Sequence, residues 1–248
     1  MGVKEPQERE REAVARSILD AARELFVTHG YQEVSIRKIA DRIEYSPAAI
    51  YSYFPSKDDI FLALAEEGFR LLFSYGRSRE IDERAPDDPA DVLRGMFWRY
   101  YEFSKEHPEY FALMFLDRSV PRIRDHWDRF GFVGEMKHDM VGRIQQAIAA
   151  GACPPDTHPH TVFRLLLTAA HGAAALRLCD RLAPGEDGDA LARASIDATL
   201  LGLRAGAARD LRLALFPCDD RLSPDPSTRA GSIRATSTTH SEDTRHDS

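Results

Sequence analysis

The sequence predicts an all-α protein with two helical parts, an N-terminal three-helix domain at residues 9–56 and a larger C-terminal domain at residues 57–216. Three observations predict this fold class. Apolar residues recur at the three- and four-residue spacing of a single helix face. Serine, proline and glycine stand where helices are expected to begin and end. No stretch of appreciable length alternates apolar and polar residues, as a half-buried strand would.

Apolar stripes and helix-starting residues mark the first two helices. We expect a mobile segment at residues 1–8 and a first helix at residues 9–29, which Gly30 ends. Ser35 precedes the second helix, where its side-chain oxygen can accept a hydrogen bond from a helix N–H. The apolar stripe of this second helix consists of Ile36, Ile39, Ala40 and Ile43.

A tight turn and a short third helix complete the first domain. The turn is formed by Glu44, Tyr45 and Ser46. Pro47 is tolerated directly afterwards, because the first residue of a helix needs no N–H. The third helix has about seven residues, roughly 10 Å of length, and it can lie in a DNA major groove. This layout is typical of a helix-turn-helix reader of double-stranded DNA.

A helical wheel divides the third helix into an inner and an outer face. Ile50 and Phe54 point inward, whereas small outer residues let the helix approach base edges closely. Tyr51 and Tyr53 are long enough to reach phosphates, and Lys57 opens the next helix, whose first N–H groups suit a phosphate. The predicted DNA-binding residues are Ser35, Arg37, Ser46, Pro47, Ala48, Ala49, Tyr51, Ser52, Tyr53 and Lys57.

The same region resembles the TetR/AcrR family of transcriptional regulators. The resemblance covers residues 16–67, and its most specific part is the run Ile50-Tyr-Ser-Tyr-Phe-Pro-Ser-Lys57 followed by Ile60 and Phe61. It implies a DNA-binding regulator whose C-terminal helical domain binds a ligand and forms a dimer. By this resemblance, the positions that commonly touch DNA are Arg37, Ser46, Ala48, Ala49, Tyr51, Tyr53 and Lys57.

Two residues depart from the family pattern. Glu44 stands at a turn position that is usually glycine, where a left-handed conformation costs a non-glycine residue about 1 kcal/mol. Ser52 stands where the family often has histidine, so the common base preferences of the family do not transfer. The alternative function is a helical interaction protein that has lost DNA binding, which Glu44 and the acidic total charge would allow.

Composition limits the partners and the compartment. The 248 residues carry a formal net charge of −7, which argues against a nonspecific coat on nucleic acid. Residues 35–57 nevertheless contain four basic and two acidic residues, and such a local excess favours one DNA-facing surface. The sequence has no secretory segment and no uncharged apolar run of about 18 residues, so we expect a cytoplasmic protein without a membrane partner.

The sequence does not predict an enzyme. Cys153, Cys179 and Cys218 are scattered and form no CxxC pair, so neither a disulfide framework nor a zinc site is indicated. The histidines of the second domain have no HExxH spacing and accompany no nucleophile motif. We therefore expect no catalytic residue, no cofactor and no metal.

The second domain is expected to contain six helices and a disordered tail. The predicted helices lie at residues 57–81, 90–107, 109–116, 121–150, 161–182 and 189–208. The fourth of these is expected to be irregular around Gly131 and Gly134. Large aliphatic residues are scarce after Pro217, so residues 217–248 cannot form a core and are expected to be disordered.

Aromatic and methionine side chains crowd the middle helices, where they can form either an ordinary core or an adaptable apolar pocket. The family resemblance implies a cavity for a small, largely apolar effector among residues 90–171. His171 could donate a hydrogen bond into it, although a satisfied core histidine is the simpler interpretation. The candidate pocket residues are Trp98, Tyr101, Phe111, Met114, Phe115, Trp127, Phe130, Met136, Met140 and His171.

The last two helices are rich in small residues that permit close contact between helices. They predict a two-fold four-helix dimer interface, with packing inside one protomer as the alternative. A homodimer would place two reading helices in successive major grooves of a pseudo-palindromic operator. We expect a repressor that an effector releases. The candidate interface residues are Leu166, Ala170, Ala173, Ala174, Arg177, Ala194, Ala198, Leu200, Gly202 and Ala205.

Overall fold

The computed structural model describes residues 6–78 and 88–211, except for the side chains of residues 76–78, 124 and 127. Every element in this part of the chain is a helix, and no strand occurs in it. The prediction of an all-α fold is therefore confirmed. The predicted tail at residues 217–248 and the first residues of the predicted mobile segment lie outside the described residues.

Nine α-helices, one π-helical turn and one 3-10 segment follow one another along the described residues. They are α1 (Pro6–His29), α2 (Ile36–Arg42), α3 (Pro47–Tyr51), α4 (Lys57–Ser78), α5 (Pro89–Glu106), α6 (Pro108–Phe111), the π-helical turn Ala112–Leu116, the 3-10 segment Ile123–Phe130, α7 (Gly131–Ala149), α8 (Pro159–Leu178) and α9 (Gly188–Arg204).

Helices α1, α2 and α3 pack around a small apolar core, as the sequence predicts. Ile18 of α1, Ile39 of α2 and Ile50 of α3 are each 0% exposed, and Phe26 of α1 is 1% exposed. Burying one such side chain is worth about 1.5–3 kcal/mol relative to leaving it in water. The inward position of Ile50 therefore fixes which face of α3 remains outside.

Serine side chains cap α2 and α3, in agreement with the sequence-based prediction. The Ser35 hydroxyl oxygen accepts a hydrogen bond from the Lys38 N–H at 3.2 Å, and the Ser46 oxygen accepts one from the Ala49 N–H at 3.1 Å. Helix α3 has only five residues, fewer than predicted. It ends early because its last turn tightens, with the Tyr53 N–H donating to a carbonyl three residues back at 2.9 Å.

Left-handed residues end α8 and α9 earlier than predicted. Asp180, with φ of 51°, follows α8, and Gly206, with φ of 82°, follows α9. The next residue in each case, Arg181 or Ala207, donates its N–H to a carbonyl inside the helix, which is the bond of a Schellman cap. At the other end of the chain, α1 begins at Pro6, so residues 6–8 are helical rather than mobile.

The single helix predicted at residues 121–150 is wrong, because the chain breaks at Phe130. This residue has φ of −106° and ψ of 23°, between the 3-10 segment and α7. The break lets its ring become fully buried, with its centroid 5.8 Å from that of Phe69 on α4. The predicted irregularity is therefore correct at Gly131, whereas α7 continues regularly through Gly134.

Helix α5 is the centre of the second domain, and it contacts α4, α6, α7, α8 and α9. Its residues Leu93, Phe97 and Phe103 are 0% exposed. Helix α4 approaches the π-helical turn closely at Gly68, where an added Cβ would lie 2.3 Å from the Met114 sulfur. This contact ties α4 to the body of the protein.

The turn between α2 and α3 contains the left-handed residue that the sequence predicts, because Glu44 has φ of 60°. Replacing Glu44 with glycine should raise the free energy of unfolding by about 0.5 kcal/mol. Relief of the strain, about 1–2 kcal/mol, exceeds the entropic cost of glycine, about 0.5–1 kcal/mol. Urea denaturation measures the change.

The matched control is Glu33→Gly at an exposed residue of the preceding turn, whose φ is not positive. This replacement should lower the free energy of unfolding, since it adds the entropic cost of glycine without relieving any left-handed strain. A loss of stability in Glu44→Gly as large as that in Glu33→Gly would contradict the strain at residue 44.

Candidate DNA-binding surface and ligand cavity

Helix α3 presents a slim outer face. Ala48 and Ser52 are exposed, 53% of Tyr51 is exposed, and Ala49 is half-buried, whereas Ile50 is fully buried. The two alanines carry only methyl groups, so nothing long stands between the helix backbone and an approaching surface. The predicted division of α3 into two faces agrees with this arrangement.

The residues on either side of α3 are also accessible. Ser35, Ser46 and Pro47 are exposed, and so is Arg37 near the start of α2. Phe54, predicted to point inward, is only half-buried. The cap at Ser46 uses one oxygen lone pair and leaves its hydroxyl proton available for an outside acceptor.

Ser52 and Tyr53 meet a cation that the sequence does not predict. The Arg11 guanidinium of α1 donates to the Ser52 carbonyl at 3.3 Å and lies 5.1 Å from the centroid of the Tyr53 ring. Arg11 is exposed and therefore adds positive charge beside α3. The Ser52 hydroxyl itself donates to the Ala49 carbonyl at 2.6 Å, so towards a base it offers acceptor lone pairs.

Lys57 is turned towards the three-helix domain. Its ammonium donates to the Tyr31 carbonyl at 2.9 Å and lies 4.1 Å from the centroid of the Tyr31 ring. The Tyr31 hydroxyl donates to the Asp58 carboxylate. Burial, together with the neighbouring carboxylate, raises the pKa of Tyr31 above its ordinary value, so this donor keeps its proton. The first turn of α4 is thus fastened to Tyr31, and phosphate binding by Lys57 stays a prediction.

Helices α4, α5 and α7 border an open cavity, and its empty space of about 580 Å³ includes open solvent. Its walls are mostly apolar, with two arginines and one aspartate among them. The lining residues are Leu72 and Phe73 of α4, Met96, Arg99 and Tyr100 of α5, and Met136, Asp139, Met140 and Arg143 of α7.

Only two of the predicted pocket residues, Met136 and Met140, line this cavity. Tyr101, Phe111 and Phe130 are 0% exposed and belong to the core instead. Because apolar residues occur on several sides of these helices, composition does not tell which side meets the cavity, and a role of these three residues in ligand binding stays a prediction.

Three of the remaining predicted pocket residues, Met114, Phe115 and Trp98, also lie outside this lining. Met114 packs against Gly68, and the Phe115 ring lies 5.9 Å from that of Phe69. Trp98 is half-buried beneath the Arg193 guanidinium, 4.0 Å from its ring centroid. The side chain of Trp127 lies outside the described residues.

His171 is not part of the cavity lining, but it contacts Tyr100, which is. The Tyr100 hydroxyl lies 2.9 Å from its Nδ1 atom. Burial raises the pKa of Tyr100 and lowers the pKa of His171. The tyrosine therefore keeps its proton and is hydrogen-bonded to a neutral imidazole, which agrees with the simpler interpretation of a satisfied core histidine.

Half of the predicted interface residues are buried inside the protomer and cannot contact a second copy. Leu166, Ala170, Ala173, Ala174 and Leu200 are between 0% and 3% exposed. Small and apolar residues occur on more than one face of both helices. Helical spacing therefore does not distinguish the inner face from the outer one, and these five residues were assigned to the wrong face.

Arg177 is also engaged inside the protomer. Its guanidinium donates to the Ser104 carbonyl at 2.7 Å and lies 5.8 Å from the centroid of the Tyr101 ring. The Tyr101 hydroxyl in turn donates to Asp189 at 3.0 Å, and Lys105 pairs with the same carboxylate at 2.6 Å. This polar network joins α5, α8 and α9.

The outer face of α8 and α9 is nevertheless apolar. Leu201 is 66% exposed and Leu176 is 41% exposed. Other members of this face are Gly172, Ala194, Ala198 and Ala205, which are exposed, and Gly202, which is half-buried.

Membrane-spanning helices and metal-binding clusters are absent from the described part of the chain. None of its helices combines the length and the apolar character that a bilayer crossing requires. Among the same residues, no three histidine, cysteine, aspartate or glutamate side chains stand close enough to hold a metal ion.

Comparisons with known proteins match both helical parts. Residues 18–64 match the family model of bacterial regulatory proteins of the tetR family, and residues 93–199 match the model of the tetracyclin repressor-like C-terminal domain. The chain is 26% identical over 185 residues to the HTH-type transcriptional repressor AcnR of Corynebacterium diphtheriae, across 72% of this chain and 85% of AcnR.

Two other proteins are similar, one over part of the chain and one in its fold. The HTH-type transcriptional regulator YuxN of Bacillus subtilis is 29% identical over 104 residues, which cover 42% of this chain and 35% of YuxN. A regulatory protein of the tetR family from Rhodococcus RHA1 has a crystal structure that superposes with a TM-score of 0.53 at 21% identity, across 76% of this chain and 96% of that chain. The latter likeness shows a shared fold.

The buried pair of Tyr100 and His171 predicts a pH dependence of stability. Because the folded protein lowers the pKa of His171, the unfolded chain binds the proton more readily. The stability from the neutral imidazole is present above its ordinary pKa of about 6.5 and is lost as the pH falls through the lower folded value. Urea denaturation at pH 7.5 and pH 5.5 should show this loss.

His171→Gln should reduce that loss, since the amide does not titrate and still offers an oxygen acceptor. The matched control is His138→Gln, at an exposed residue of α7. The assignment would be contradicted if both variants kept the same difference in unfolding free energy between the two pH values as the parent protein.

Proposed function

The chain belongs to the TetR family of transcriptional regulators, which are not enzymes, and we propose that it is a repressor. In this proposal a homodimer binds a pseudo-palindromic operator, and a small effector in the cavity releases it. The observation that carries the proposal is the outer face of α3, small and exposed, on a helix whose inner face is anchored by Ile50. A DNA target also supports a cytoplasmic location.

The contacts to DNA divide into positioning and reading. Tyr51, which is 53% exposed, and the cations Arg11 and Arg37 are suited to phosphates, which fix the register of the protein on the duplex. The methyl groups of Ala48 and the acceptor oxygen of Ser52 are suited to base edges in the major groove. Sequence preference therefore rests on the small residues of α3.

A second copy of the chain is proposed to pack on the outer face of α8 and α9. The exposed side chains of Leu201 and Leu176 gain most from burial there, at about 25 cal/mol for each Å² of apolar surface. Exposed alanines between them allow the helices to approach closely. A two-fold dimer then places two copies of α3 about one helical turn of DNA apart.

Helix α4 is proposed to connect the cavity to the DNA-binding surface. Leu72 and Phe73 of α4 form one cavity wall, and Lys57 at its other end holds Tyr31 of the three-helix domain. A second connection runs from Arg23 of α1, which donates to the Tyr110 hydroxyl at 2.6 Å. An effector that displaces α4 would change the position of α3, and such coupling is usually about 5–150-fold in affinity.

The direction of regulation is supported by relatives that are named as repressors. These are AcnR of Corynebacterium diphtheriae and KstR2 of Mycolicibacterium smegmatis. Blocking a promoter also requires no contact surface beyond the operator-binding one. Repression is therefore the simplest outcome of DNA binding by this chain.

The DNA-binding surface can be tested by fluorescence anisotropy on operator fragments from the promoter regions around the gene. Arg11→Ala and Tyr51→Ala should weaken binding to all sequences about 3- to 10-fold, and Arg11→Ala should reduce the slope of log affinity against log salt by about 1. Ser52→Ala should instead change the ranking of operators with single base substitutions.

Arg181→Ala is the matched control, at an exposed arginine between α8 and α9. It should leave both affinity and salt dependence unchanged. The proposal would be overturned by a parent protein that binds no fragment better than random DNA, or by an Arg11→Ala variant with the same salt dependence as the parent.

The dimer surface can be tested by sedimentation equilibrium. Leu201→Glu and Leu176→Glu should convert the protein to protomers at micromolar concentration, because each carboxylate would be buried against apolar side chains. Operator affinity should fall at least about tenfold, since both half-sites must be occupied together.

Val27→Glu is the matched control, at a 50% exposed valine of α1 that lies away from α8 and α9. It should leave the oligomeric state unchanged. A protein that sediments as a dimer after both leucine replacements would show that the interface lies elsewhere.

A further inference from the structure

The cavity between α4, α5 and α7 has an uneven distribution of charge. Arg99 and Arg143 contribute two positive charges to its lining, and Asp139 contributes one negative charge, so the lining carries a formal excess of one positive charge. The protein as a whole is acidic, with a net charge of −7. The cavity is therefore a local exception to the charge of the chain.

The ion pair inside the lining does not cancel this excess. Asp139 and Arg143 stand one turn apart on α7, with the carboxylate oxygen 3.5 Å from the Arg143 Nε atom. Their side chains are 54% and 38% exposed, and pairs of this kind contribute little in water. A ligand anion can thus compete for Arg143 without breaking a strong contact.

The other polar group of the wall is already occupied. The Tyr100 hydroxyl is hydrogen-bonded to the His171 Nδ1 atom at 2.9 Å. A ligand therefore meets charged groups at Arg99, Arg143 and Asp139, and elsewhere it meets apolar side chains. Recognition in this cavity rests on charge combined with apolar contact.

The remaining lining is suited to a flexible apolar chain. Met96, Met136 and Met140 are unbranched and polarisable, so they adapt to different shapes. Leu72 and Phe73 of α4 complete the apolar wall.

We propose that the effector is an amphipathic anion, an alkyl or acyl chain that packs on the methionines while its carboxylate or phosphate head binds Arg99 and Arg143. This inference rests on the proposed function, in which the cavity is the effector site. A neutral chain would cover the charged groups of the lining without compensating their formal excess of positive charge, which is costly. A cationic chain would meet a lining of its own charge.

The test is calorimetric titration of the full-length chain, without DNA, using four ten-carbon probes below their micelle-forming concentrations. Decanoate should bind at least about tenfold more tightly than decanol, because its carboxylate accepts charge-assisted hydrogen bonds from arginine that the alcohol does not make. Decylamine should bind more weakly than decanol. Decyl phosphate distinguishes the two head groups, and binding of either anion supports the inference.

Two cavity variants should change anion binding in opposite directions. Arg143→Met should weaken decanoate binding about tenfold and leave decanol binding unchanged. Asp139→Asn should strengthen decanoate binding a few-fold, because it removes the competing carboxylate. The control Arg181→Met replaces an exposed arginine outside the lining and should have no effect. Arg99→Met provides a second test if Arg143→Met fails to unfold cooperatively.

The inference is overturned if decanol binds as tightly as the better of the two anions, if Arg143→Met behaves like Arg181→Met, or if none of the four probes binds. Because these titrations contain no DNA, they are independent of operator binding. A protein that binds its operator and ignores the anions loses only this inference. A protein that binds the anions and no operator loses the proposed function instead.

Discussion

The proposed coupling between the cavity and α3 depends on one physical constraint, the continuity of α4. This helix has 22 residues and a hydrogen-bonded backbone, so it moves as a unit rather than bending freely. Its first turn holds Tyr31 through Lys57, its middle packs at Gly68 against the Met114 sulfur, and its later residues form a cavity wall. A change in the cavity and a change at the DNA-binding surface are therefore changes in the position of one element.

Much of the three-helix domain can be predicted from the sequence, because its signals are local. Ser35 and Ser46 cap helices whose N–H groups lie within three residues of them. Glu44 occupies a left-handed turn, which the helix–turn–helix spacing requires whatever residue stands there. The face of α3 follows from Ile50, since five residues leave little freedom once one side chain is buried.

Features that depend on packing between distant segments could not be predicted. Arg11 reaches Ser52 across 41 residues of sequence, and no local pattern records that contact. The cavity is lined by Tyr100 and not by Tyr101. Since α5 has neighbours on nearly every side, its sequence does not indicate which face meets the cavity. Helices α8 and α9 carry small and apolar residues on more than one face, so the sequence indicated close packing without showing which residues face outward, such as Leu201.

The most direct test of the coupling through α4 fills the cavity from within and measures DNA binding without any ligand. Met140→Trp adds bulk to the cavity lining, and His138→Trp places the same side chain at an exposed residue of α7 as a control. Coupling through α4 predicts that operator affinity, measured by fluorescence anisotropy, falls at least about fivefold in Met140→Trp and not in His138→Trp. Equal affinities of both variants, with cooperative unfolding retained, would contradict it.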